Sequence, residues 1–258
     1  MRRFQLFELE DQPWFPNVVR DLATDYLHFI ETKFALHRAI VPVLADALRR
    51  TGSAQLVDLC SGGAGPIPSL VQDLADAGVT VRATLTDRYP NVSALERIRA
   101  LSKGRIDFVS EPVDARSVPE GLVGFRIVFN GFHHFCPADA VRILRSAASA
   151  RQPIAVFEIS ERSFRTLLPL TLTPLFVWIA TPFMRPFRWR RLLWTYLIPL
   201  VPLTCWWDGI VSQLRAYTPA ELEQLGTEAD PGAEWHAGAL PMGDLPGTVT
   251  YLLGYPRP

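Results

Sequence analysis

The chain has 258 residues, with 26 Lys and Arg against 26 Asp and Glu and 48% apolar residues. That length suits one α/β domain with insertions, and zero net formal charge lacks the basic excess with which nucleic-acid binders neutralise phosphates. Three scattered cysteines, Cys60, Cys136 and Cys205, fit a reducing compartment and supply neither a disulfide framework nor a metal site.

The N-terminal residues run into acidic Glu8, Glu10 and Asp11 without the apolar core of a secretory signal, so a cytoplasmic location is expected. Asp11-Gln12-Pro13-Trp14-Phe15-Pro16 is an aromatic-proline turn that reads as a staple for the helices after it. Residues 17–50 show helical spacing, with Val18, Val19, Leu22, Tyr26 and Leu27 on the apolar side and Pro42 as a break or new start. Strands are then expected at Gln55–Leu59, Val81–Thr86, Ile106–Val109, Phe125–Phe129 and Ile154–Ile159. They are separated by helices at about 67–77, at the segment holding Leu95 and Ile98, and at 137–148. Strands alternating with single helices make a parallel sheet with right-handed crossovers. Thr218-Pro219-Ala220-Glu221 is a capping box opening a further helix, and β-branched, aromatic Thr248–Tyr255 is a closing strand.

The first strand ends in an acid and a glycine-rich turn, Leu56-Val57-Asp58-Leu59-Cys60-Ser61-Gly62-Gly63-Ala64-Gly65-Pro66. Glycines there let a ligand approach backbone N–H groups. Some twenty residues on, the second strand ends at Asp87, where a carboxylate can accept both hydroxyls of a ribose. A P-loop would need Gly-Lys-Ser/Thr, and the turn has no lysine. A dinucleotide fingerprint would need a third glycine where Pro68 stands. Asp58 would repel a pyrophosphate and suits a cation. The turn resembles motif I of class I S-adenosylmethionine-dependent methyltransferases, D/E-x-G-x-G-x-G, and departs from it at Cys60 and Ala64, in the first and third glycine places.

The resemblance covers about residues 55–160 well and Thr248–Tyr255 loosely. It implies an α/β fold, a doubly wound, mostly parallel, seven-stranded Rossmann-like sheet, to which this sequence adds N-terminal helices and an apolar helical insertion after strand five. It implies S-adenosyl-L-methionine as cofactor. Asp58, Cys60, Ser61, Gly62 and Gly63 would face the amino acid part, and Asp87 and Arg88 the ribose. Asp114 and Ala115 would meet the adenine, and Asn130 and Gly131 the transferred methyl. It also makes the Asp11–Pro16 turn a lid over the cofactor. His133 and His134, at the fourth strand end, are candidate bases, since histidine titrates near neutrality.

After strand five, Leu167–Met184 and Leu192–Trp207 are apolar, proline-broken runs around the arginine-rich Arg185–Arg191. Each is slightly short of the roughly 20 residues that span a bilayer. Arginines and tryptophans favour an interfacial insertion or a lid over an apolar substrate, against a helical cap packed on the domain. The expected division is a helical cap at 1–50, a cofactor domain at 51–164 and 208–258, and an apolar, membrane-associating insertion at 165–207. The expected function is methyl transfer to a small-molecule or lipid-like acceptor, with a membrane surface but no nucleic acid as partner. The competing readings are a non-catalytic binding protein docking through the insertion and, less favoured, an NAD-dependent enzyme.

Overall fold

A computed structural model describes residues 2–243 and 247–257, the side chain of Arg165 excepted. The chain opens with a strap that leads into α1 (Asn17–Lys33), a 3₁₀ turn (Leu36–Ile40) and α2 (Val41–Thr51). Then come β1 (Gln55–Leu59), α3 (Ile67–Asp76), β2 (Arg82–Thr86), α4 (Val92–Leu101), β3 (Ile106–Phe108), β4 (Phe125–Phe129), α5 (Pro137–Ser149) and β5 (Ile154–Glu158). Four helices follow: α6 (Phe164–Leu170), α7 (Thr173–Ala180), α8 (Trp189–Leu192) and α9 (Leu200–Arg215). The chain continues with α10 (Pro219–Ala229), β6 (Glu234–Pro241) and β7 (Thr248–Tyr255).

The seven strands form one sheet in the order β3-β2-β1-β4-β5-β7-β6. The expected mostly parallel sheet is in fact mixed. β1 to β5 pair in parallel, whereas β7 runs antiparallel to both β5 and β6. The reason is connectivity: β6 and β7 are close in sequence and pair directly as antiparallel neighbours, while each earlier strand returns through a crossover. β6 was not anticipated. Its Gly238, Ala237, Ala239 and Pro241 give it little intrinsic strand character. It is held by pairing along β7 and by Trp235, whose ring fills the space where a Cβ on Gly226 of α10 would lie.

Alternation along the strands builds two cores. Leu56, Leu85, Ile127, Phe129 and Phe157 pack with α2 and α3 on one face. Val57, Leu59, Val128 and Val156 pack with α5 and α10 on the other. Central strands buried on both faces are mainly apolar, which is why β4 and β5 read as near-continuous runs, broken by buried Arg126, which donates to the Ser146 hydroxyl, and by Glu158 at the end of β5.

A third core lies away from the sheet. Phe15, Val19, Leu22 and Tyr26 pack against Val177 and Ala180 of α7, Met184, and Val201 and Cys205 of α9. Phe15 therefore staples the N-terminal helix onto α7 and α9 rather than onto the sheet, while Trp14 stays exposed. Prolines punctuate residues 164–199, Pro169 in the last turn of α6, Pro174 in the first turn of α7 and Pro182, Pro186 and Pro199 between α7, α8 and α9, since each lacks an N–H and obstructs helix continuation. Among the described residues, no helix is long and apolar enough to cross a membrane.

Candidate functional site

The carboxyl ends of β1, β2 and β4 open onto a cavity of about 430 Å³, walled on the far side by the strap and α1. This is where ligands sit in open α/β sheets, beside the point at which strand order reverses. Asp58, Cys60, Ser61, Gly62, Gly63, Asp87, Arg88, Asn130 and Gly131 all line it.

The turn after β1 is tied down by β2. Ser61 N–H donates to the Thr86 carbonyl (2.9 Å), and the Ser61 hydroxyl bridges the Asp58 carbonyl and the Thr86 N–H. Asp87 accepts the Gly62 N–H at 2.7 Å with one carboxylate oxygen and the Tyr89 N–H at 2.7 Å with the other. Each oxygen keeps a second lone pair for a ligand hydroxyl. Cys60 and Ala64 both adopt left-handed backbone (φ 65° and 83°), so the turn keeps a glycine-type path where glycine is replaced. Asn130 is left-handed too (φ 49°). Gly131 is closely packed: a Cβ there would lie 3.2 Å from that of Cys60, tighter than ordinary contact.

Asp114 and Ala115 do not line the cavity. Ala115 is buried in the second core. Asp114 is gripped by the Arg116 guanidinium (2.6–3.2 Å), which lowers its carboxyl to about 2. Arg116 reaches the cavity instead and also pairs with Asp139 (3.1 Å).

The two histidines separate. His133 is buried, its Nδ1 2.5 Å from Glu158 Oε2, while the other Glu158 oxygen accepts the Phe132 N–H (2.6 Å). That buried carboxylate fixes the 3₁₀ turn Phe132–His134, and His133 stays outside the cavity lining. His134 lines the cavity with Nδ1 2.8 Å from Asp11 and 3.3 Å from Glu8. Burial works against its charge, but Glu8 and Asp11 outweigh that and raise it to about 10. Donor atoms of Glu8, His133 and His134 lie within 4.8 Å of one another. The Arg215 guanidinium already supplies positive charge there, at 3.2 Å from Glu8 and 2.8 Å from Asp11.

Asp208 and Arg215 of α9 thus serve the strap. Asp208 accepts the N–H groups of Leu9 (2.7 Å) and Glu10 (3.1 Å). Arg215 adds bonds to the carbonyls of His133 and His134. The clamp sets Glu10 and Asp11 in the cavity wall.

One wall was not found from the sequence: Asp21, Thr24, His28 and Glu31 of α1. Their spacing, three or four residues apart, puts them on one helical stripe beside the buried Val19, Leu22 and Tyr26. A polar stripe of that period was the available signal. Among the cavity's carboxylates without an ion-pair partner among the described residues are Glu10, Glu31 and Asp58. Burial raises them to about 8, 7 and 8.

No family model matches this chain, and no curated protein matches it either. Its architecture is shared with solved methyltransferase structures. The plantazolicin methyltransferase BpumL, in complex with SAH, superposes with a TM-score of 0.58 at 10% identity, over 96% of this chain and 94% of that one. The methyltransferase SibL, in its apo form, gives 0.53 at 19%, over 89% and 58%. Human N-acetylserotonin methyltransferase, in complex with SAM, gives 0.51 at 14%, over 92% and 57%. The chain spans less than two thirds of the latter two. With the strand order, these likenesses give the chain the fold of class I S-adenosylmethionine-dependent methyltransferases.

Proposed function

We propose that the protein binds S-adenosyl-L-methionine in this cavity and transfers its methyl group to a small-molecule or lipid-like acceptor. The carrying observation is the pair of buried carboxylates, Asp58 and Glu31, on either side of the glycine turn without a cationic partner among the described residues. Holding such groups costs stability unless a cation neutralises them, and this cofactor carries an ammonium and a sulfonium. Asp58, with the Cys60–Gly63 backbone, then faces its amino acid part, and Asp87, beside Arg88, its ribose. In this reading Arg116, which lines the cavity, takes the adenine-side place of Asp114 and Ala115. Asn130 and Gly131 flank the methyl.

The sulfonium methyl is already activated, so in-line displacement needs chiefly alignment at about 3–3.5 Å. His134 retains its proton up to about pH 10 and acts in this reading as a fixed cation. His133 acts only through the turn it holds. The neighbours' cofactor complexes support this reading over a purely non-catalytic module. The exposed apolar helices α6–α9 support an apolar acceptor and a peripheral membrane location.

Calorimetric titration with S-adenosylmethionine and S-adenosylhomocysteine tests the cofactor. Micromolar binding to the wild type, weakened at least tenfold in Asp87→Ala, is expected. Absence of binding to the wild type would end the proposal. Methyl transfer to a panel of apolar hydroxy and amino compounds then tests turnover.

A further inference from the structure

Charge is unevenly distributed along this neutral chain. Residues 162–207 contain six arginines and no acid, which leaves the remainder with 20 basic and 26 acidic residues. Three of the six are spent internally: Arg162 on Glu221, and Arg188 and Arg191 on Asp25. Arg185 and Arg190 are exposed and have no ion-pair partner among the described residues. They stand beside the outward-facing side chains of Phe183 (69% exposed), Phe187 (62%) and Trp189 (63%). The same layer of helices exposes Phe176, Ile179 and Leu197. Monomeric proteins rarely leave so many large apolar groups together in water without a use for them.

We propose that the 183–190 segment docks on the surface of an anionic lipid bilayer. Phe183, Phe187 and Trp189 enter the boundary between headgroups and acyl chains, and Arg185 and Arg190 meet lipid phosphates. The short, proline-broken helices restrict this contact to one leaflet. A second copy of the chain fits the surface less well. A two-fold interface sets the same patch against itself, and this stretch offers no acid to answer its arginines. The surface stands independently of the methyl-transfer reading.

Co-sedimentation of the full chain with vesicles tests it, without any cofactor present. Binding is expected to an equimolar mixture of phosphatidylcholine and phosphatidylglycerol and to weaken as salt is raised. Pure phosphatidylcholine should bind much less. Arg185→Gln with Arg190→Gln should weaken binding roughly 25-fold, about fivefold for each arginine. Phe187→Ser with Trp189→Ser should abolish it while leaving the thermal unfolding midpoint unchanged, both side chains being exposed. Equal binding to both vesicle types, or to neither, would overturn the proposal. So would a dimer in sedimentation velocity that this double variant dissociates, which would assign the face to a second copy.

Discussion

Cys60 and Ala64 carry side chains through left-handed backbone, a conformation that costs roughly 1–2 kcal/mol per non-glycine residue. Cys60→Gly relieves that cost but loses the side chain's packing against the second core, so unfolding stability in urea titration should change by no more than about 1 kcal/mol. Ala64→Gly should be close to neutral, because Ala64 is fully buried and its lost methyl offsets about 0.8 kcal/mol of the relief. Asp58 adds a pH signature. Its carboxyl is raised to about 8 by burial, with Asp87 and Glu31 adding negative charge, which favours its protonated form at neutrality. A cationic ligand favours the ionised form. Affinity for S-adenosylmethionine should therefore rise with pH, by up to about tenfold per unit below pH 8, and Asp58→Asn should flatten that slope in calorimetry. Much of the cavity lining was legible, because Asp58 sits near the end of β1 and Asp87 and Asn130 directly follow β2 and β4, ends that local sequence marks. Glu31 and Arg116 were not, since folding brings one in from a distant helix and the other displaces its neighbour Asp114.

At the scale of elements, the strap depends on α9. Asp208→Asn weakens the acceptance of two backbone N–H groups and should cost about 1–3 kcal/mol, with faster amide exchange at Leu9 and Glu10. Arg215→Ala is harsher. It leaves Glu8 and Asp11 without their buried guanidinium and should cost about 3–5 kcal/mol in denaturant titration. Because the folded state raises His134 to about 10, its contribution to the clamp is complete below its unfolded value near 6.5. That contribution is lost as pH rises through 10, so His134→Gln should remove this part of the alkaline decline in stability. Whereas α6–α9 read only as two apolar runs, with the expected boundary at 207/208 falling inside α9, the helices flanking the sheet, the first five strands and β7 were legible from hydrophobic period and punctuation. β6 was not, because its stability lies in β7 and Trp235 rather than in its own residues.

For the whole molecule, three cores with different partners divide the labour: two hold the sheet, and the third joins α1 to the helices after β5. Raised carboxylates at Asp58, Glu10, Glu31 and Asp208 bind protons in the folded state that the unfolded chain has released by about pH 5. These groups therefore make unliganded stability fall as pH climbs from about 4 to 8. A saturating cationic ligand should reduce that fall in thermal scans. The strand order carries a mechanical consequence. β7 follows β6 in sequence yet lies between β5 and β6, so a pull along it loads two ladders at once in shear. The opposite end is held by side-chain ion pairs, by the Leu9 and Glu10 N–H groups on Asp208 and by the backbone hydrogen bond from Phe4 N–H to the Leu214 carbonyl, which peel one after another. Stretched between its ends, the molecule should yield first at the strap and stripping of the cavity wall should precede any loss of the sheet.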